Sequence, residues 1–493
     1  MPNLFPKTLL TFGALSALFL ACSKEDALQP VDQFGGRSAR VGNPETSITL
    51  RRGQYIIIAT GDQLPADFEN EVSKINGKVG RVMSEIGIAT ATSDDPKFAD
   101  KAGRLAGVSS VIRDAEAQWI DPPAVYTDQA ILDKVTEQSA TNPATNPFFQ
   151  FQWGHKAISV PAAWSAGYQG EGARVAVLDG GFDLDHPDLA GNIVYSKSFV
   201  PGESAQYALG DVGSHGTHTA GTVAALDNNI GVVGVAPKAK LLLIKVLRDS
   251  GSGSFSWLIQ GVLDAVNQKA DVINMSLGAF LLRNGKYLDD NGTPADPSDD
   301  FIGHDAKGTQ ELINALTRVM NYANSQGVTL MAAAGNDAIN GNKDGSGLSI
   351  PANLPNVISI SATGPAGWFA NRNTNLDRFA SYSNYGTPDV TFAAPGGDYS
   401  LYPNTNWQYD MVLSTGNSPG AGGQYYFSAG TSMACPHAAG VAALIIGKNG
   451  GQMDPSRVEA TLRASADDLG KTGRDPLYGH GRVNAYRAVS SVQ

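Results

Sequence analysis

The run "RVAVLD", residues 174–179, is an apolar strand that ends on a carboxylate, and the pattern it begins decides the fold. Four more runs follow it: "KLLLIKV" (240–246), "DVINMSLG" (271–278), "VTLMAAAGN" (328–336) and "NVISISA" (356–362). Between the second and third runs, Phe255, Leu258, Ile259, Val262, Leu263 and Val266 occupy one helical face. Apolar strands alternating with amphipathic helices predict an α/β fold with a doubly wound, mostly parallel sheet over residues 148–493. In such sheets ligands sit outside the carboxyl ends of the strands, where Asp179, Gly278 and Asn336 all fall.

Upstream, residues 53–120 read strand, helix, strand, strand, helix, strand. "YIIIA" (55–59), "IGIATA" (86–91) and "VSSVIRD" (108–114) are strands, and "ADFENEVSKIN" (66–76) puts Phe68, Val72 and Ile75 on one helical face. "DPKFADKAGRL" (95–105) is a short helix. This predicts a small α+β domain, marginal in stability by itself. Residues 121–147, "DPPAVYTDQAILDKVTEQSATNPATNP", are rich in Pro, Thr, Asn and Asp and read as an exposed linker.

The first residues read as an export signal. Lys7 precedes an apolar run, Leu9 to Ala21, that is too short for a bilayer span of about 20 residues but fits the core of a secretory signal. Ala21 followed by Cys22 is similar to a bacterial lipoprotein cleavage site, which would make Cys22 the lipidated start of the mature chain. The flanking Phe19 and Leu20 depart from that pattern, and an ordinary signal with a chance cysteine is the alternative. The expected order is a signal at 1–21, a linker at 22–52, the small domain at 53–120, the exposed linker at 121–147 and the large domain at 148–493. "SKEDALQ" (23–29) is similar to the acidic tags of some surface-displayed lipoproteins, so the expected location is the outer membrane or cell surface, or the medium after processing.

Composition narrows the partners. A net charge of −11 without clustered Lys and Arg argues against nucleic acid and against anionic membranes, leaving the lipid on Cys22 as the only membrane contact expected. The 17% of charged residues is below the roughly 25% usual for soluble domains, so much of the surface is neutral and polar. The 56 glycines follow no period, which indicates tight turns rather than a repeat. A monomer is expected.

Two histidines, His215 and His218, stand three apart in "DVGSHGTHTAGT" (211–222). A zinc site would need a third ligand and an acid, as in H-E-x-x-H at four-residue spacing, and Gly216 and Thr217 supply neither. A catalytic base needs a carboxylate to orient it and a hydroxyl to activate. Asp179 ends a buried strand, and Ser432 lies where "SAGTSMACPHAAGVAALI" (428–445) turns from glycine into an apolar helix. Unpaired N–H groups at such a helix start can stabilise an oxyanion, and Asn336 can add its amide. Pro436 is tolerated if it lies in the first turn. Taken singly, Ser432 could equally be an N-cap and Asn336 a turn former.

Together these segments become specific. "VAVLDGGFDLDHPDL", "SHGTHTAGTVAA", "MSLG", "AAAGN" and "GTSMACPHAAGVAAL" resemble, in order, the signature segments of the subtilisin-like serine proteases, from Gln152 onward. The resemblance implies Asp179 as orienting acid, His215 as general base, Ser432 as nucleophile, and Asn336 with the Ser432 N–H as oxyanion hole; His218 is then structural. It implies protein or peptide substrates, with Ser276, Leu277, Gly278, Ala333 and Gly335 forming the walls of a P1 pocket that takes a large apolar side chain. Asp337 lies near its rim. An α/β-hydrolase would need G-x-S-x-G and the order Ser, acid, His, and this chain has "GTSMA" with little following it.

The small domain resembles the family's propeptide, an intramolecular inhibitor cut away in the linker; a permanent binding module is the alternative. Calcium is the cofactor the resemblance implies, at Asp188, Asn228 and the carbonyls of Leu226, Ile230 and Val232. The N-terminal ligand of that site does not align, and an ordinary tight turn remains open. After "SLGAF" an insertion (281–308) carries five aspartates from Asp289 to Asp300; a second calcium and a solvated acidic loop are the two readings, the latter favoured, and its place beside the cleft makes it a candidate specificity loop. Cys435 is expected to be a packing thiol. The reading is therefore a serine endopeptidase, with a catalytically inactive surface-binding lipoprotein as the alternative.

Overall fold

The structure is a computed structural model and describes residues 48–120, 146–291, 297–418 and 424–491. The signal segment, Cys22 and the linker residues 121–145, including the expected processing region, lie outside the described residues.

The small domain has strands β1 (Ile48–Ala59), β2 (Lys78–Met83), β3 (Ile88–Thr92) and β4 (Val108–Gln118), with helices α1 (Phe68–Lys74) and α2 (Phe98–Ala102). All pair antiparallel in the order β4-β1-β3-β2. β1 starts five residues before the Gly53 boundary expected from sequence, because Ile48, Thr49 and Leu50 pair with Ala117, Glu116 and Ala115 beyond an irregularity in the register. Under the two helices, Tyr55, Ile57, Phe68, Val72 and Phe98 form a core of their own. The other face of the sheet is buried against the large domain.

The large domain opens with α3 (Trp153–Ala157) and α4 (Val160–Ser165), then β5 (Arg174–Asp179), β6 (Ile193–Ser198), α5 (His215–Ala224), β7 (Lys240–Lys245) and β8 (Ser252–Ser254). It continues through α6 (Phe255–Asn267), β9 (Val272–Met275), β10 (Ala279–Leu282), β11 (Lys286–Asp289), β12 (Phe301–His304) and α7 (Ala306–Ser325). Then come β13 (Thr329–Ala333), β14 (Gly347–Ile350), β15 (Val357–Gly364), β16 (Arg378–Phe379), β17 (Phe392–Pro395), β18 (Val412–Gly416) and β19 (Gln424–Ser428). Helices α8 (Thr431–Lys448), α9 (Pro455–Ser465) and α10 (Ala485–Ser491) close the chain.

The main sheet runs β16-β15-β13-β9-β5-β7-β6 with β17 also on β15, and every pair but β15–β16 is parallel. One face packs on α5 and α8 and the other on α6 and α7. Helix α5 is buried along its whole length, which places it inside the molecule rather than on its surface. The doubly wound α/β architecture follows the sequence expectation, while the short strands β6 and β17 lacked an apolar run strong enough to be read.

The insertion differs from expectation. Its first residues complete β10, which pairs with β14, and the strands β11 and β12 pair on either side of the acidic segment, of which residues 292–296 lie outside the described residues. β11 also pairs parallel with β1, so this stretch extends the small domain's sheet. Short runs of one or two apolar pairs, too brief to read as strands, became strands because a neighbouring edge supplied their backbone partners.

His155 on α3 and His437 on α8 meet edge to face at 5.4 Å, both fully buried. Burial holds His155 well below the usual histidine range and pushes His437 down to about 4. Both are then neutral in the fold and gain protons first in the unfolded chain, so the stability they contribute above pH ~6.5 is lost as pH falls toward 4. Each such histidine costs about 1.4 kcal/mol per pH unit across that window. His155→Phe is therefore expected to show a smaller drop in thermal midpoint between pH 7 and pH 5 than the parent chain. An equal drop would remove His155 from the acid response.

Candidate active site

Asp179 is the last residue of β5, at the carboxyl edge of the sheet, and is completely buried. Its carboxylate accepts from the Gly180 N–H at 2.7 Å and the Thr219 hydroxyl at 3.1 Å. Both oxygens face His215 Nδ1, at 2.9 and 3.0 Å. An ionised carboxylate can only accept, so Nδ1 carries the proton and Nε2 keeps its lone pair. His215 opens α5, where the N-cap Ser214 accepts from Thr217 N–H at 3.2 Å and donates to the Gly181 carbonyl at 2.7 Å. That cap ties the start of the helix to the loop after β5, so acid and imidazole are fixed relative to each other.

His218, three residues on, faces elsewhere. Its Nε2 meets the Val412 carbonyl at 3.1 Å, its ring packs on Tyr426 at 4.6 Å, and burial pushes its pKa down to about 3. It is neutral and core-packed, as expected from sequence.

Ser432 is the second residue of α8, after the N-cap Gly430. It is therefore not itself the cap. Its hydroxyl donates to the Ser276 carbonyl at 3.1 Å, and no hydrogen bond joins it to His215 here. Ser276 returns the contact, its own hydroxyl donating to the Ser432 carbonyl at 2.8 Å. Pro436 explains why that carbonyl is open. It lies inside the helix rather than in the first turn as expected, and it lacks the N–H that would bond to residue 432. The Ser276 hydroxyl replaces the missing donor, so a serine expected as a pocket wall also anchors the start of α8.

Asn336 follows β13. Its Oδ1 accepts from both the N–H and the hydroxyl of Thr431, each at 2.9 Å, leaving Nδ2 without a hydrogen-bond partner among the described residues. Thr431 thus determines which end of the amide is free, a role that sequence reasoning missed although the residue sits beside Ser432 in "GTS". Gly335 has φ +108°, and a Cβ there would strike the Asn384 amide, so the turn that presents Asn336 needs glycine. Ala333 is buried at the end of β13.

The last described residues of the small domain thread along this site. Gln118, Ala117 and Glu116 pair antiparallel with Ser252, Gly253 and Ser254. Trp119 N–H donates to the Gly251 carbonyl at 3.0 Å, and the Gly278 N–H donates to the Trp119 carbonyl at 3.0 Å. The Trp119 indole donates to the Gly253 carbonyl at 2.8 Å and packs on Phe255 at 4.6 Å. Leu277 is buried in the core cluster that takes in Trp119, Ile120 and Phe255. An extended chain accordingly lies between segments 251–254 and 276–278, two residues from the carbonyl that holds Ser432.

The expected calcium ligands come together around Asp188, where the carboxylate and the Asn228 amide bond to neighbouring groups. Asp188 accepts from Val232 N–H and the Tyr425 hydroxyl, each at 3.0 Å, and from Asn228 Nδ2 at 3.2 Å. Asn228 Oδ1 accepts from Ile230 N–H at 3.2 Å, and the backbone N–H of Leu226 donates to the Asp188 carbonyl at 2.8 Å. The carboxylate thus faces N–H and O–H donors, while no hydrogen bond among the described residues reaches the carbonyls of Leu226, Ile230 and Val232. No cluster of three or more His, Cys, Asp or Glu able to hold a metal occurs among the described residues, and the expected set, with one carboxylate, one amide and three backbone carbonyls, is of a different kind. Burial pushes Asp188 up to about 7. Cys435 is buried and free, its thiol pushed up by desolvation, which suits packing rather than reactivity.

Comparison with known proteins places the chain in a family. Residues 170–481 match the subtilase family, peptidase S8. Subtilisin E of Bacillus subtilis (strain 168) is 32% identical over 420 residues, covering 85% of this chain and 84% of its own. A subtilisin of Bacillus pumilus is 36% identical over 339 residues, covering 68% of this chain and 98% of its own. The epidermin leader peptide processing serine protease of Staphylococcus aureus shares the fold, with TM-score 0.66 at 23% identity over 89% of this chain and 98% of that one. A lanthipeptide protease superposes with TM-score 0.55 at 27% identity, over 69% of this chain and 95% of that one. With the match spanning well over half its length, the chain belongs to the subtilase family and is a subtilisin-like serine endopeptidase.

Proposed function

We propose that this endopeptidase works through Asp179, His215 and Ser432 and is made as a self-processing, exported zymogen. The observation that carries the reading is the paired contact of the Asp179 carboxylate with His215 Nδ1 at 2.9 and 3.0 Å, at the carboxyl end of β5. Asp179 holds the tautomer whose Nε2 is free to accept a proton. Rotation of the Ser432 side chain exchanges the Ser276 carbonyl for that nitrogen, a tightening that a bound substrate promotes. Ser432 Oγ then attacks the scissile carbonyl while His215 takes its proton, and Asp179 stabilises the imidazolium. Asn336 Nδ2 and the Ser432 N–H receive the oxyanion. His215 returns the proton to the leaving amine, and water, deprotonated by the same nitrogen, releases the acyl group from Ser432.

Substrate is read as an extended strand on segments 251–254 and 276–278, with Ser276, Leu277, Gly278, Ala333 and Gly335 around a P1 pocket for a large apolar side chain. The small domain, whose tail takes that track in the intact chain, is read as the propeptide, cut within 121–147. Cys22 is read as a lipidation site, and the cut would free the protease from that lipid. Calcium is read as a structural ion that Asp188, Asn228 and the carbonyls of Leu226, Ile230 and Val232 would hold, and no catalytic step uses it.

The test of the reading is Asn336→Ala. It is expected to lower kcat on a peptide substrate by about 10²–10³ while leaving KM nearly unchanged, the size known for this donor in subtilisin. An unchanged kcat would remove Asn336 from the oxyanion hole.

A further inference from the structure

The insertion and β8 put two segments of the catalytic domain on opposite edges of the small domain's sheet. At the end of the domain nearest the cleft, one sheet runs β8-β4-β1-β11-β12. β8 precedes α6 and borders the substrate track; β11 and β12 are the insertion. Strands β4 and β1 of the small domain therefore lie between two strands of the catalytic domain.

We infer that the β11–β12 hairpin is a second grip on the small domain, separate from the cleft, that slows its departure after the linker is cut. The inference rests on the reading of that domain as a propeptide. Backbone pairing joins Thr49 to Leu288. Arg113, on β4, crosses β1 to reach the hairpin: both its terminal nitrogens meet Asp289 Oδ2 at 3.0 Å, and one also donates to the Tyr287 hydroxyl at 3.1 Å. The guanidinium also lies 5.4 Å from the centre of the Tyr287 ring. Arg52 donates to the Asn291 carbonyl at 2.8 Å. Beneath these contacts Ile48, Leu50, Leu281 and Leu312 line one crevice between the domains.

None of these bonds involves the linker or the substrate track. Cutting the linker leaves them intact, and a domain that has let go of the cleft is still held by its other edge. Without the hairpin, residues 48–50 of β1 would present an open edge. The insertion covers it with a strand whose Asp289 is matched to a small-domain arginine. The partner this surface fits is a β-edge carrying a cation two strands in, and the small domain of the same chain supplies both.

Hydrogen–deuterium exchange of β1–β4 in the Ser432→Ala chain reads the docking of the small domain whether or not the chain can process itself. Arg113→Ala and Asp289→Ala are each expected to raise that exchange about tenfold, a figure that allows for the partial exposure of the pair. The double variant should exceed either single by less than the product of the two, because they share one interaction. The exchanged pair Arg113→Asp with Asp289→Arg should recover most of the protection. Unchanged protection of β5, β7 and β9 reports that the catalytic domain is folded in each variant. In the active chain the same substitutions should shorten, by a similar factor, the lag between the cut seen on a gel and full peptidase activity. Unchanged exchange in both singles, or independent effects in the double, overturns the grip. An active chain that is never cut overturns the zymogen reading and the release step with it, while the exchange data still decide whether the hairpin holds the domain.

Discussion

Ser432→Ala is expected to leave the chain at full length, with its small domain attached, while the parent chain expressed from Ser23 loses that domain through a cut between residues 121 and 147. Intact mass of the two purified proteins checks it. On a peptide substrate, the loss in kcat should be about 10⁶, the size known for removal of the subtilisin nucleophile. The physical reason lies at the start of α8. The Ser432 Oγ is placed by a helix whose irregularity at Pro436 is compensated by Ser276, so deleting the hydroxyl removes the nucleophile while the Ser276 hydroxyl keeps its hold on the residue 432 carbonyl. Folding should be unaffected. A Ser432→Ala chain that still sheds its small domain in pure form would mean that the cut is made by something else.

Asp179→Asn is expected to lower kcat by about 10⁴ with little change in KM. The carboxylate accepts at once from Gly180 N–H, the Thr219 hydroxyl and His215 Nδ1, and it is fully buried, so nothing else can take its place. An amide of the same shape presents an N–H to one of these donors. The imidazole is then pushed toward the tautomer protonated on Nε2, which cannot receive the serine proton. The loss should shrink as pH rises and hydroxide substitutes for the missing base. A loss of tenfold or less would show that Asp179 does not control the tautomer.

Much of this was legible in the sequence because the chemistry there depends on local order. Asp179 ends an apolar run, His215 and Ser432 begin helices, and Asn336 follows a strand into a glycine turn; each is a boundary where hydrophobic periodicity changes. The division of His215 from His218 came only with the family resemblance, since residues three apart on a helix share a face and spacing alone does not separate them. Thr431 was not legible, because its part in orienting Asn336 depends on a hydrogen bond across 95 residues of chain.

The segments "HPDL" and "ALDNNIGVVGVAP" bring Asp188, Asn228 and Val232 together, and Tyr425, 237 residues after Asp188, donates its hydroxyl into the carboxylate. No motif over the first two segments contains that tyrosine.

What the sequence by itself determined is the α/β class, the order of the chemical groups and their places at strand ends and helix starts, since periodicity and turn chemistry act over a few residues. Only the tertiary structure decided that the Ser432 hydroxyl rests on Ser276, that the small domain's tail lies on segments 251–254 and 276–278, and that the insertion forms strands on the far edge of β1. Those outcomes depend on which distant backbone edge is free to pair, and an unpaired edge belongs to the assembled fold, not to any one stretch of residues.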